Sequence, residues 1–172
     1  MRFIPILLVI ISLTACSSDN GPIPTSTPTS LQLTKTGQTI TYQKGDDGDL
    51  QKGVSWPDPR FVDTGDGTVT DKLTGLVWLQ NTACIGKRSW ADALAAANSL
   101  ASGSCGLSDT SRQGEWRLPN INELNSLVSV GRWNPAIGAM LPTGSPIELP
   151  FSGVGNTYYW SSTTLAALDY QA

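Results

Sequence analysis

At 172 residues the chain has the length of one domain plus a leader. A formal charge of −3 with no basic run excludes an electrostatic nucleic-acid partner. The absence of histidine excludes histidine-based acid/base catalysis and His-ligated metals, while 40% apolar content with six Trp suffices for a core.

The first fifteen residues read as a signal peptide. Arg2 supplies a minimal positive start, and Phe3 to Leu13 is nearly continuous apolar sequence, too short for a mature membrane span. The run closes in Leu13-Thr14-Ala15-Cys16, which resembles a bacterial lipobox. That resemblance implies cleavage before Cys16 and acyl chains on its new N-terminus. Ser17 after the cysteine is similar to an outer-membrane sorting signal. The implied location is the bacterial cell envelope, with the membrane engaged through the N-terminal lipid. Residues 16–35 follow as a Pro/Thr/Ser-rich tether, which cannot bury enough apolar area to offset the entropy of ordering it.

Residues 36–59 form a lead-in. Thr36 to Tyr42 alternates enough for one short strand, and Gly45-Asp46-Asp47-Gly48-Asp49 reads as an exposed, acidic turn. Its carboxylates do not match the spacing of an EF-hand loop, which favours a solvated loop over calcium. Arg60 to Asp71 reads as a β-hairpin turning at Gly65-Asp66-Gly67. Turn chemistry accounts for Asp66 and Gly67 without making Asp63, Asp66 and Asp71 cation ligands. Leu76-Val77-Trp78-Leu79 is a buried strand with Trp78 in the core.

Ser89, with Asp92 three residues on, caps a helix of about three turns. Trp90, Leu94, Ala97 and Ala101 recur at helical spacing, so the Trp90 face should lie on the sheet, with Gly103 ending the helix. Cys84 and Cys105 bracket that helix. With Cys16 committed to lipid, they are an even pair in an oxidising compartment and read as one disulfide. A catalytic thiol is disfavoured because no histidine is available to activate it.

The most specific stretch is the corner Trp116-Arg117-Leu118-Pro119-Asn120 followed by Glu123. Pro119 forces Leu118 towards extended geometry, Asn120 caps the next helix, and Glu123 completes a capping box. Arg117 braces a neighbouring loop or carboxylate. After this helix come Arg132, Trp133 and Asn134, then a long Gly/Pro-rich loop from Met140 to Gly155. Loops of that length are often functional, which makes Arg132, Trp133, Asn134 and the loop the candidate binding surface. Tyr158 to Thr163 reads as an aromatic-to-hydroxyl strand.

Three landmarks stand in order: Arg60-Phe61-Val62-Asp63 through Trp78, then Trp116 to Leu124, then Tyr159-Trp160-Ser161-Ser162-Thr163. Together they closely resemble the bacterial Lcl C-terminal domain family, long catalogued as a domain of unknown function. The resemblance covers Arg60 to about Thr163 and assigns residues 60–172 to such a domain, shortened at its C-terminus. It implies an α+β, C-type-lectin-like fold with two helices packed on a twisted, mainly antiparallel sheet with long loops. It also implies a distant likeness to the sulfatase-modifying factors. Fold alone does not carry activity. The sugar-binding triplets of lectins and the cysteine pair of the sulfatase modifiers are both missing, since Cys84 and Cys105 precede the corner. The reading is therefore a non-enzymatic envelope lipoprotein with no cofactor and no metal, presenting a binding or adhesion domain to a polysaccharide or protein. A structural envelope component without ligand is the alternative, and a sulfatase-modifier-like enzyme stands behind both.

Overall fold

Short antiparallel strands stitched by turns carry the architecture, and helices cover both faces of the sheet they form. The computed structural model describes residues 9–10, 33–132, 136–137, 149–155 and 157–164. Cys16, most of the tether, Trp133, Asn134, residues 140–148 and the chain after Thr164 lie outside the described residues. Among the described residues, no helix is long and apolar enough to cross a membrane.

The expected hairpin is present. Strand β2 (Phe61–Asp63) pairs antiparallel with β3 (Thr68–Asp71), Val62 standing opposite Thr70. Its turn is held by side chains: the Gly65 N–H donates to Asp63 Oδ1 at 2.8 Å, and the Thr68 N–H to Asp66 Oδ1 at 3.0 Å. Gly67 adopts φ 84°, and a Cβ there would lie 2.4 Å from the Gly106 carbonyl oxygen, so the turn must carry glycine at this position. The next strand, β4 (Val77–Leu79), extends the sheet on the far side of β3, with Val69 opposite Trp78.

Two further strands among the described residues are β1 (Val9–Ile10) and β5 (Trp116–Arg117). The sheet order is β2-β3-β4-β1-β5, so two residues from the apolar N-terminal run sit between β4 and β5 and are antiparallel to both. A leader's apolar run and a buried strand have the same composition, which is why composition alone does not separate them.

The period of two along β4 divides the core. Trp78 faces one side with Phe61, Val69 and Leu127, while Leu79 faces the other with Ala93, Ala97, Leu100, Leu107, Trp116 and Leu118. Burying a side chain of this size contributes about 1.5–3 kcal/mol. Helix α2 (Trp90–Ser99) covers the Leu79 face; Ser89 caps it by accepting from the Asp92 N–H, as expected. Its buried residues are Ala93 and Ala97, not Trp90. Small side chains let the helix backbone approach β5, and Trp90 lies at the margin, its indole N–H donating to Ser161 O at 2.8 Å. The helix stops at Ser99 with Leu100 extended, ahead of the expected stop at Gly103. On the other face, Leu124 of α3 (Ile121–Ser126) packs with Leu127, Trp78 and Phe61, and Phe151 meets Phe61 edge-to-face at 5.2 Å.

Three elements differ from the sequence expectations. Thr36 to Tyr42 forms no strand, because its backbone groups find other partners: Val130 N–H donates to Thr36 O, and Tyr42 N–H donates to the Asp46 carboxylate. The acidic turn is a one-turn helix, α1 (Asp47–Leu50), capped by Asp46. Hydrogen bonds from Tyr42 N–H and then Asp49 N–H hold the Asp46 carboxyl below the ordinary carboxylate range. Gly48 within it is buried against the Ile40 carbonyl, so the turn is not wholly exposed. Tyr158 to Thr163 forms no strand either, only a single bridge position at Trp160. It lies across the corner through single bonds, Ser162 N–H to Pro119 O at 2.8 Å and Trp160 Nε1 to Arg88 O at 3.0 Å. Among the described residues, the result is an α+β fold of three helices and an open antiparallel sheet.

Candidate functional site

The corner is built around one carboxylate. Glu123 accepts from Arg117 Nη1 at 2.8 Å, from Arg117 Nη2 at 2.6 Å and from the Asn120 N–H at 2.7 Å. Asn120 Oδ1 in turn accepts from the Glu123 N–H at 2.9 Å, closing the capping box. Arg117 Nη1 also reaches Leu118 O at 3.0 Å. The bidentate guanidinium is the largest influence holding the Glu123 carboxyl below its usual range, with partial burial opposing it and the Asn120 N–H adding to it. The same contact raises the Arg117 pKa. With its oxygens so occupied, Glu123 is poorly placed to shuttle protons. Trp116 is fully buried and donates to Ser111 Oγ at 3.0 Å, and Leu118 and Pro119 are buried beside it. This geometry joins β5 to α3.

The three aspartates once weighed as cation ligands are engaged within the protein. Asp63 accepts from Gly65 N–H and Gln80 Nε2, Asp66 from Thr64 and Thr68, and Asp71 from Arg60, Leu73 N–H and Thr74. The Thr64 and Thr68 hydroxyls hold the Asp66 carboxyl below the ordinary range. Among the described residues, no group of three or more His, Cys, Asp or Glu stands close enough to hold a metal ion. Cys84 and Cys105 form a disulfide, with Cα atoms 5.6 Å apart.

An open groove of about 360 Å³ lies where the lead-in meets the end of α3, lined by Thr34, Lys35, Thr36, Trp56, Asn125, Ser126, Val128 and Val130. Backbone bonds assemble its walls: Lys35 N–H to Val54 O and Val54 N–H to Leu33 O at 3.0 Å, and Val130 N–H to Thr36 O at 2.9 Å. Trp56 is fixed at one edge, its indole N–H donating to Lys35 O at 2.8 Å. Behind it, the Arg60 guanidinium stacks on the Trp56 ring at 4.5 Å, pairs with Asp71 and donates to Ser126 O at 2.7 Å. One buried arginine therefore braces the hairpin, the lead-in and the last turn of α3 around the groove. The lining offers hydroxyls, an amide and one amine on a wall that is otherwise apolar, made by Trp56, Val128 and Val130.

Of the candidate binding residues, Arg132 follows directly on this wall, its N–H donating to Ser129 O at 3.1 Å, two residues beyond Val130. Trp133 and Asn134 lie outside the described residues. The sequence reading missed the groove because its walls are some ninety residues apart in the chain. The signal that could have found it is Trp56, the one tryptophan of the lead-in.

The model of the Lcl C-terminal domain matches residues 67–172. The chain belongs to the Lcl C-terminal domain family. No curated protein and no solved structure matches it. The matched span of this Lcl C-terminal domain holds β3, β4, the disulfide, α2, β5, the corner and α3. Arg60 and the N-terminal half of the groove (Thr34 and Lys35 at the end of the tether, Thr36 and Trp56 of the lead-in) precede it.

Proposed function

We propose that this chain is a bacterial envelope lipoprotein, acylated at Cys16, whose Lcl C-terminal domain is a lectin-like, non-enzymatic binding or adhesion module for a polysaccharide or protein. Family membership supports the module, and the groove between lead-in and α3 supports its binding role. The lipobox-like Leu13-Thr14-Ala15-Cys16 and the Pro/Thr/Ser run behind it support the anchor and tether. A sulfatase-modifier-like activity is disfavoured because Cys84 and Cys105 are tied to each other. The net negative charge disfavours a sulfated polysaccharide and favours a neutral glycan or a protein.

The observation that carries the binding reading is the groove: hydroxyl, amide and amine side chains share its lining with Trp56, which stacks on Arg60. The test is a screen of the purified chain against glycans, collagen and envelope proteins, with Lys35→Ala and Asn125→Ala as groove variants. Binding that both variants weaken supports the reading; no ligand in any class leaves the chain a structural envelope component. Palmitate labelling with a Cys16→Ser control tests the anchor, and undiminished labelling of the variant refutes it.

A further inference from the structure

We propose that the open backbone edge of the Leu33–Lys35 stretch is a strand-addition site. It takes an extended peptide segment of a partner protein, an acidic residue set among apolar ones, into the groove. The proposal rests on the reading of that groove as a binding surface and names the class of its ligand.

Backbone alternation makes the edge. Lys35 N–H donates to Val54 O and Val54 N–H donates to Leu33 O, both at 3.0 Å, in a parallel bridge that centres on Thr34. Lys35 O accepts from the Trp56 indole on the same side, at 2.8 Å. In an extended chain the next residue along turns its N–H and C=O to the opposite edge. Thr34 and Thr36 therefore present theirs away from Val54, on the edge that meets Val130. At Thr36 this edge is taken, its carbonyl accepting from the Val130 N–H at 2.9 Å. At Thr34, an exposed residue of the groove lining, neither the N–H nor the C=O has a partner among the described residues. Such an open edge is a template for another strand. Strand addition draws its affinity from backbone bonds and its specificity from alternate side chains.

The facing wall suits an extended peptide better than a sugar. Val128 and Val130 are 46% and 61% exposed, whereas Ser129 between them is fully buried. The wall thus presents two aliphatic side chains two residues apart, the repeat of about 7 Å at which an added strand offers its own. A glycan would set hydroxyls against them. Lys35 is the charged side chain of the lining. Its ammonium donates to the neutral Gln51 amide oxygen at 3.5 Å, and among the described residues no acid pairs with it. Asp47 is engaged by the Thr36 hydroxyl instead. Charge complementarity therefore places an Asp or Glu in the peptide.

The test pans a phage-displayed random nonapeptide library against the full-length chain and titrates the enriched peptides in synthetic form. Sequences with Asp or Glu between Val or Ile residues should be enriched. Backbone pairing has a period of two, so N-methylating alternate amides in one phase should weaken binding about tenfold or more, and in the other phase change little. Thr34→Pro removes the outward N–H and leaves both bonds to Val54, so it should weaken the peptide with an unchanged urea melt. Lys35→Ala should erase the preference for a Glu peptide over its Gln counterpart. Equal binding by the two N-methylated phases, or a Glu preference that survives Lys35→Ala, overturns the proposal. No enriched peptide, beside maltoheptaose binding that Lys35→Ala and Asn125→Ala weaken, overturns the peptide and keeps the groove as a binding surface. Binding by neither probe overturns the groove reading and this proposal with it.

Discussion

Arg60 and Asp71 form a two-bonded ion pair at the open end of the first hairpin, Nε to Oδ1 at 2.9 Å and Nη2 to Oδ2 at 2.7 Å, with side chains 2% and 0% exposed. Neither charge is free to leave. Arg60 also reaches Ser126 O, and Asp71 also accepts from Leu73 N–H and Thr74 Oγ1. Breaking a buried pair leaves an uncompensated charge and costs about 3–5 kcal/mol. Asp71→Ala should reach that range in urea denaturation, since it strands the arginine and frees the Leu73 turn. Arg60→Met should cost less, because Asp71 keeps its turn donors. The reverse order, or an Asp71→Ala loss under about 1 kcal/mol, contradicts this account.

Gly65 and Gly67 share one turn and both adopt positive φ, 79° and 84°. A Cβ at Gly65 meets nothing within 4 Å, whereas one at Gly67 would lie 2.4 Å from Gly106 O. Gly65→Ala should therefore cost only the backbone strain, about 1 kcal/mol. Gly67→Ala should cost on the order of 3 kcal/mol or more, because two backbones must separate. Paired denaturant melts decide it; equal losses would show that the Gly67 to Gly106 contact relaxes freely.

The Cys84–Cys105 disulfide closes a loop of sequence separation 21 that contains all of α2. On the chain-entropy account, losing it costs about 3 kcal/mol. The Cys84→Ala, Cys105→Ala double variant should lose that much in urea, with added exchange in the Gly106–Ser108 segment that Gly67 and Asp66 contact. A midpoint unchanged from the oxidised protein counts against the constraint.

What the sequence made legible follows from how local the chemistry is. Asn120 with Glu123 and Ser89 with Asp92 are caps written within three residues, and Gly65-Asp66-Gly67 is a turn written in three. Thr36 to Tyr42 shows the opposite case: its alternation is real, but a strand needs a partner, and none of the described strands runs beside it. The Arg60–Asp71 pair escaped because an arginine at a hairpin start reads as a solvated charge until burial is known. The groove escaped for the same reason, since Trp56 and Ser126 line one groove only after the lead-in folds back on α3.

Glu123 gives the corner a pH dependence whose sign can be stated. Its folded pKa lies below the ordinary glutamate value, chiefly because of the Arg117 guanidinium. The stability it contributes is therefore fully present above that ordinary value, about 4.3, and is lost as pH falls through the folded pKa. Glu123→Gln keeps a side chain able to accept from the Asn120 N–H but removes the charge, so it isolates the ion pair from the cap. Arg117 is 36% exposed, so screening limits the difference to about 1 kcal/mol at neutral pH. Urea melts should show the wild type ahead by that amount at pH 7, the gap narrowing below about pH 4.3 and closing in stronger acid. High salt should shrink the gap at pH 7, because an exposed pair is screened. A gap that persists unchanged at pH 2–3, or widens in acid, would place the effect in the neutral cap and not in the Arg117 pair.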